Sequence, residues 1–263
     1  MHGALNVAKT GLSAQDTNLK VISNNLANVS TVGFKKDRAQ FEDLLYQVRR
    51  QPGAQSADDA QLPSGLQVGS GVRAVSTQKI MRTGEMLVTD QSFDLAINGL
   101  GFFQIQMPNG EIGYTRNGTF GVDAEGRMVT AEGYPLEPEI QMPEGVQSVS
   151  IGRDGTVDVI LAGDNTTPVN LGQIELANFI NPQGLQALGG NLFGQTAGSG
   201  EPIIGFGEEA GFGGIMQGML EGSNVNSVEE LVDLISTQRA YEMNSKVIST
   251  ADQMLSFVSQ QIG

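Results

Sequence analysis

Leu5, Ala8, Leu12, Gln15, Leu19, Ile22, Leu26 and Val29 follow one another at alternating steps of three and four residues. That spacing lines their side chains along one narrow stripe of a helix. Near the other end, Val228, Leu231, Ile235 and Gln238 begin a second stripe, and Asn244, Ile248, Ala251, Leu255 and Val258 continue it after Tyr241. The pattern predicts a helix at each end of the chain. In the second, Gln238, Tyr241 and Asn244 lie three apart, an inserted step that would overwind a coiled coil locally. Ser227 is its expected N-cap, with Glu229 and Glu230 in the first turn and Glu230 at the capping-box position. The first helix is expected to stop within Asn24-Asn25-Leu26-Ala27-Asn28, where asparagines compete for backbone hydrogen bonds.

Neither seam is stable alone. Six large apolar side chains on the first stripe would contribute roughly 10–20 kcal/mol if fully buried. Ordering the backbone of about 25 residues costs about 1–2 kcal/mol for each one. A partner surface is needed, first the opposite terminus and then the same helices of neighbouring molecules, because flanks at Val7, Val21, Val247 and Met254 stay unsatisfied. The ends read as an assembly device, although a two-helix layer on the protein's own core fits the same periodicity. Gln15 and Gln238 occupy core positions in the two stripes and are expected to fix register at some cost in stability.

Between the helices the period changes. Lys35–Arg50 is ambiguous: Phe41, Leu44, Leu45 and Val48 suit a helix face, while Leu44, Tyr46 and Val48 alternate as a strand does. Gln51-Pro52-Gly53 through Pro63-Ser64-Gly65 reads as a long polar excursion, and Val72–Met81 as a strand. Short apolar runs at Asp94–Ile97, Phe102–Met107, Glu111–Thr115, Thr119–Val122 and Met128–Thr130 are separated by turn signals such as Asn117-Gly118 and Asp123-Ala124-Glu125-Gly126. Val149–Ile151, Thr156–Leu161 and Gln173–Ile180 extend this antiparallel pattern, and the glycine-rich Gly198–Gly222 is expected to lead back to the helices. The fold class is α+β. Paired terminal helices form a coiled-coil-like layer (1–30 and 224–263), an extended hairpin region connects it (31–90 and 200–223), and a mainly antiparallel β domain fills 91–199.

Charge sharpens this division. The formal net charge is −14 over 263 residues, but the segments 1–50, 51–90, 91–220 and 221–263 carry +3, −1, −12 and −4. With its acidity concentrated in the β region, the chain offers no basic face for nucleic acid or an anionic membrane surface. Cysteine is absent and His2 is the only histidine, which removes thiol nucleophiles, zinc-thiolate sites and a histidine-based catalytic triad. No cleavable signal pattern and no apolar run of membrane-spanning length is visible, so a soluble chain without membrane insertion is expected.

The candidate chemistry is thin. Asp154 with Asp158, and Asp123 with Glu125, lack the alternating spacing of a calcium loop and read as hairpin turns. Gly99-Leu100-Gly101 lacks the third glycine of a dinucleotide loop. Glu137 and Glu139 could in principle serve a glycosidase, the distant enzymatic alternative. No catalytic residue, metal ligand or cofactor is assigned.

Three stretches carry a resemblance. Asn24-Asn25-Leu26-Ala27-Asn28-Val29-Ser30-Thr31-Val32-Gly33-Phe34-Lys35 resembles the N-terminal signature of the bacterial flagellar rod and hook family. Ser223-Asn224-Val225-Asn226, Glu230-Leu231-Val232 and Gln238-Arg239-Ala240-Tyr241-Glu242-Met243-Asn244 resemble its C-terminal signature. Leu95-Ala96-Ile97-Asn98-Gly99-Leu100-Gly101-Phe102-Phe103 with Tyr114-Thr115-Arg116-Asn117-Gly118-Thr119-Phe120 is similar to its shared β domain. Phe41–Gln47, Arg50–Ser56 (with Gln51, Pro52 and Gly53) and Leu62-Pro63-Ser64-Gly65-Leu66 look like the insertion of the distal-rod branch, which hook subunits lack. Asn6 departs from the family, where tryptophan is frequent.

The resemblance implies a non-catalytic subunit, exported unfolded by the flagellar type III apparatus, that polymerises helically into a straight drive shaft in the basal body, crossing the periplasm. It implies partners: further copies of the chain, proximal rod subunits, the hook subunit, the surrounding P and L ring proteins, and the rod cap. Subunit packing is expected from Leu5, Leu12, Leu19, Ile22, Leu26, Val29, Leu231, Ile235, Tyr241, Ile248 and Leu255. Signature roles fall to Asn24, Asn25, Ala27, Asn28, Thr31, Gly33, Phe34, Asn224, Asn226, Arg239 and Tyr241. Stiffening is expected from Gln51, Pro52, Gly53, Leu62, Pro63 and Gly65. A proximal rod or hook subunit is the nearest alternative.

Overall fold

The computed structural model describes residues 2–51, 55–57, 60–61, 64–162 and 167–262. Of the expected stiffening residues, Pro52, Gly53, Leu62 and Pro63 lie outside the described residues. The chain divides into two units, the first of residues 1–27, 37–78 and 226–263 and the second of 28–36 and 79–225.

The first unit contains both helices, α1 (His2–Ala27) and α2 (Ser227–Ile262). They run antiparallel in contact. Three pairings fix the register: Gly11 lies against the Asn244 amide, the Asn18 amide donates to the Thr237 hydroxyl at 3.0 Å, and the Asn25 amide donates to the Glu230 carboxylate at 3.1 Å. The rungs advance by seven residues on α1 and retreat by seven on α2, the repeat of two helices held side by side. α1 ends at Ala27, inside the expected asparagine cluster.

The N-cap of α2 is Asn226 rather than the expected Ser227. The Asn226 side-chain oxygen accepts from Val228 N at 3.0 Å and faces Glu229 N at 3.5 Å, and its carbonyl accepts from Glu230 N. Asparagine and serine are about equal as N-caps, and here the asparagine is the one whose side chain turns onto the first free amides. Glu230 thereby leaves the capping-box role and is buried beside Asn25.

The ambiguous stretch resolves into strands. Asp37–Asp43 pairs with Val72–Lys79, and Tyr46–Arg50 pairs antiparallel with Leu66–Gly69. The second ribbon is open to solvent on both faces, with Leu45, Tyr46, Val48, Leu66 and Val68 exposed.

Among the described residues, the regular structure of the second unit is β apart from one short 3-10 turn at Pro182–Gly184. Its main sheet runs in the order Gln186–Gly189, Leu192–Gly194, Ile112–Thr115, Phe102–Gln106, Glu175–Asn178 and Ile203–Phe206, with Leu136–Glu137 also on Phe102–Gln106. The central strand is covered on both faces, so Phe102, Phe103, Gln104 and Ile105 in succession are all buried. Phe103 and Ile105 join one core with Leu95, Ile97, Leu136, Ile174, Leu176 and Ile215. Phe102 joins the other with Tyr114, Phe179, Leu185 and Phe193, where the rings meet edge to face.

The Asp123–Gly126 and Arg153–Gly155 turns close the paired strands Phe120–Val122/Met128–Thr130 and Val146–Ile151/Thr156–Leu161, as expected. Asn117-Gly118 does not. Ile112–Thr115 pairs with Phe102–Gln106 and Leu192–Gly194, not with Phe120–Val122, and Gly118 instead lies against Leu95 and accepts its amide. The glycine-rich Gly198–Gly222 stretch, which leads back to α2, is partly strand. It supplies the strands Ile203–Phe206, Gly214–Gln217 and Met219–Glu221, and the last two pair with Leu95–Asn98 and Met86–Val88.

Candidate functional site

Two features stand out, one in each unit. The first is the division of α2 into two faces. Counted at 100° per residue, Glu230, Leu234, Thr237, Asn244, Ile248, Ala251 and Leu255 share the face toward α1, where Glu230 and Thr237 are buried. Around the remaining surface Val228, Leu231, Val232, Ile235, Met243, Val247, Met254 and Phe257 are all exposed, from 46% at Leu231 to 67% at Val228. A single helix thus carries a face committed within the chain, and around the rest of its surface exposed apolar side chains interspersed with Arg239, Glu242 and Lys246.

This division explains the extra three-residue step in the sequence stripe. Val228, Leu231 and Ile235 belong to the outer face, while Asn244, Ile248 and Leu255 belong to the inner one. Tyr241, 41% exposed, stands where the stripe crosses over. The intramolecular contact near the start of α2 therefore follows Glu230 and Thr237, not Leu231 and Ile235, because those polar groups have partners on α1. On α1, Ile22 is buried, and Leu5, Leu12, Leu19 and Leu26 are half-buried, as is Val29 beyond the end of the helix. Gln238 is exposed and Gln15 half-buried; the polar groups that meet between the helices are Asn18 with Thr237 and Asn25 with Glu230.

Most signature residues act in local structure. Asn25 is 2% exposed and holds both backbone groups of Asp37, its oxygen accepting from Asp37 N and its amide donating to Asp37 O, each at 2.9 Å. The Thr31 hydroxyl donates to Asn28 in the turn that follows α1. Asn24, Ala27 and Arg239 are exposed, as are Asn226 at its cap and Gln51 in the polar excursion.

The second feature is a buried charge cluster in the β unit. Lys35, Arg116 and Glu221 have side chains 1%, 3% and 0% exposed. The Lys35 ammonium donates to the Glu221 carboxylate and, at 2.9 Å, to Arg82 O. Arg116 Nη1 donates to the other Glu221 oxygen at 3.0 Å and to Ile97 O at 3.2 Å, and its guanidinium lies 5.4 Å from the centre of the Phe102 ring. The first Glu221 oxygen also accepts from Gly84 N at 2.9 Å. Burial pushes the Lys35 amine below its ordinary pKa, with Glu221 opposing and Arg116 reinforcing that shift. Burial likewise lowers Arg116, against the pull of Glu221. Two cations share one carboxylate, which leaves the cluster with a net positive charge inside an acidic unit.

Backbone contacts close around this cluster. Gly33 N donates to Glu221 O at 2.7 Å, and Gly33 adopts φ +70 with its Cα turned onto the Arg116–Asn117 peptide. Asn224 joins three segments: its amide donates to Ile80 O and Arg82 O at 2.7 and 3.0 Å, and its oxygen accepts from Lys36 N at 2.8 Å. The Asn191 amide holds Val32 O, and buried Phe34 lies under the Lys79 ammonium. This chemistry is structural: every ionised oxygen is already occupied. Lys35 and Arg116 stand in the quoted motifs, but Glu221 went unremarked in the sequence, where one carboxylate among glycines gives no sign of its burial.

Three family models match the chain. The "Flagella basal body rod protein" model covers residues 5–35, the "Flagellar hook protein FlgE/F/G D1 domain" residues 96–159, and the "Flagellar basal body rod FlgEFG protein C-terminal" residues 216–261. Each matched segment supplies one member of the buried charge cluster. Among curated relatives, the chain is 55% identical to flagellar basal-body rod protein FlgG of Buchnera aphidicola subsp. Schizaphis graminum over 254 residues, 97% of each chain. It is 49% identical to FlgG of Caulobacter vibrioides over 98% of each chain, and 37% identical to FlgG of Bacillus subtilis over 94% of each.

Proposed function

The chain belongs to the flagellar basal-body rod protein family, and we propose that its exposed helix face is what builds it into that rod. It is a structural subunit of the distal rod in the basal body, not an enzyme. Copies of the chain polymerise helically into the rigid shaft that carries motor torque to the hook. The terminal segments 1–30 and 224–263 form a coiled-coil-like inner layer, 31–90 with 200–223 connects, and 91–199 lies outward. The proximal rod subunits and the hook subunit adjoin the polymer at its two ends, the P and L ring proteins surround it, and the rod cap and export apparatus serve its assembly.

The observation that carries this reading is the outer face of α2. Its eight large apolar side chains are each roughly half exposed. Completing their burial at about 1.5–3 kcal/mol for a fully buried side chain would contribute roughly 6–12 kcal/mol per copy. A second copy presents the same helices, and repeated non-closing contacts of this kind generate filaments. The ribbon Tyr46–Arg50/Leu66–Gly69 supports the bracing role of the insertion, because a solitary two-stranded ribbon is marginal in water until something covers it.

The test is Leu231→Asp with Ile235→Asp in the full chain. Both positions point away from α1, so the Asn18–Thr237 and Asn25–Glu230 rungs should keep their exchange protection while electron microscopy finds no polymer. Normal filaments from this variant would sink the reading. Deleting residues 54–61 should leave filaments that bend more easily; unchanged stiffness would remove the bracing role.

A further inference from the structure

We propose that Glu221 is the keystone of a strap. The segment Asn28–Lys36 closes onto the β unit only when the Glu221 carboxylate is in place between Arg116 and Lys35. The strap is bound to strands distant in sequence. Gly33 N reaches Glu221 O, Phe34 O accepts from Asn224 N, Lys36 O accepts from Ile80 N, and Val32 O accepts from Asn191. Nothing but the Lys35 side chain brings a charge from the strap into this interior, and it arrives next to a second cation.

The energetics are asymmetric. A buried cation without a counter-charge is strongly unfavourable, whereas a neutral buried pair with its hydrogen bonds made is tolerated. Before the strap docks, Arg116 and Glu221 form such a neutral pair. Docking adds Lys35 at a site 1% exposed, which is acceptable because the free Glu221 oxygen and Arg82 O receive its ammonium. Without the Glu221 charge, the same docking would bury two uncompensated cations together. Glu221 is therefore worth more to closure than either cation. Removing Lys35 leaves Glu221 paired with Arg116 and Gly84 N, while removing the charge of Glu221 orphans both partners.

The sequence separations give this asymmetry a temporal meaning. Lys35 precedes Glu221 by 186 residues and Arg116 precedes it by 105. A chain that emerges N-terminus first lacks the carboxylate that Lys35 and Arg116 need in order to be buried together, so the strap stays open until nearly all of the β unit is out. The device keeps the start of the chain from closing early onto an incomplete β unit.

The experiment compares amide exchange in the full-length chain and in Glu221→Gln, Lys35→Met and the double variant. It reads Gly33, Ile80 and Asn224 against Ile105 and Val157 in the β cores. In Glu221→Gln, strap amides should exchange about a hundredfold faster or more, with core amides changed far less. Lys35→Met alone should leave the strap closed, and adding it to Glu221→Gln should restore much of the protection, because one orphaned cation is gone. Strap exchange unaltered by Glu221→Gln, or no recovery in the double variant, would overturn the proposal. So would opening of the strap by Lys35→Met alone, a result that decides the matter even if Glu221→Gln does not fold.

Discussion

Substituting Gly33 by alanine tests whether the turn after α1 is built around a backbone contact or only around a backbone angle. Gly33 has φ +70, and a Cβ there would lie 2.7 Å from both Arg116 C and Asn117 N, atoms of a buried peptide that cannot rotate aside. Gly110 is the internal control. Its φ is +81, but a Cβ there meets nothing within 4 Å. Alanine at Gly110 should cost only the left-handed penalty, about 1–2 kcal/mol. Alanine at Gly33 adds an overpacking cost of about 1–3 kcal/mol as the Arg116–Asn117 peptide or the strap shifts. The expected total is about 2–5 kcal/mol, with the 2.7 Å Gly33–Glu221 backbone bond at risk besides. The assay is native-state amide exchange of Ile80 and Asn224, which donate to the strap, read alongside Leu95–Asn98 and Phe102–Gln106 of the same unit. Equal losses for the two variants would refute the close-contact argument.

Three further outcomes follow from other contacts. Asn18→Leu alone should cost about 1–3 kcal/mol by stranding the buried Thr237 hydroxyl, while Asn18→Leu with Thr237→Val should be near neutral, read from thermal loss of the helical circular-dichroism signal. Asn224→Ala should destabilise the β unit by about 2–4 kcal/mol, since it removes the two hydrogen bonds donated to Ile80 O and Arg82 O and the one accepted from Lys36 N, which tie its own segment to two others; a loss below 1 kcal/mol in the same exchange assay would contradict this. Hydrogen bonds from the Thr156 hydroxyl and backbone hold the Asp154 carboxyl below its ordinary pKa. Its stabilising effect is thus present above the unfolded-state value and lost as pH falls through the folded one. Thr156→Val should move the Asp154 carboxyl titration, followed by NMR, upward toward the ordinary range.

Local chemistry written along the chain determined a good deal. The alternating three-and-four spacing specified both helices because helical periodicity is a property of neighbours, and the asparagine cluster marked where α1 stops. The Asp123–Gly126 and Arg153–Gly155 turns were legible for the same reason: each joins strands that touch across the turn. The three flagellar signatures were legible as residue strings. Which face of α2 meets α1 was not, since leucine and isoleucine at helical spacing fit either face until Asn18 and Asn25 choose Thr237 and Glu230.

The tertiary structure alone decided the long-range closures. Leu95–Asn98 pairs with Gly214–Gln217, and Lys35 finds Glu221, across separations at which the sequence carries no periodic signal. A buried carboxylate looks like any other glutamate until the chain surrounds it. Burial is a property of the whole fold, and only the fold could show that Glu221 holds the beginning, middle and end of this chain together.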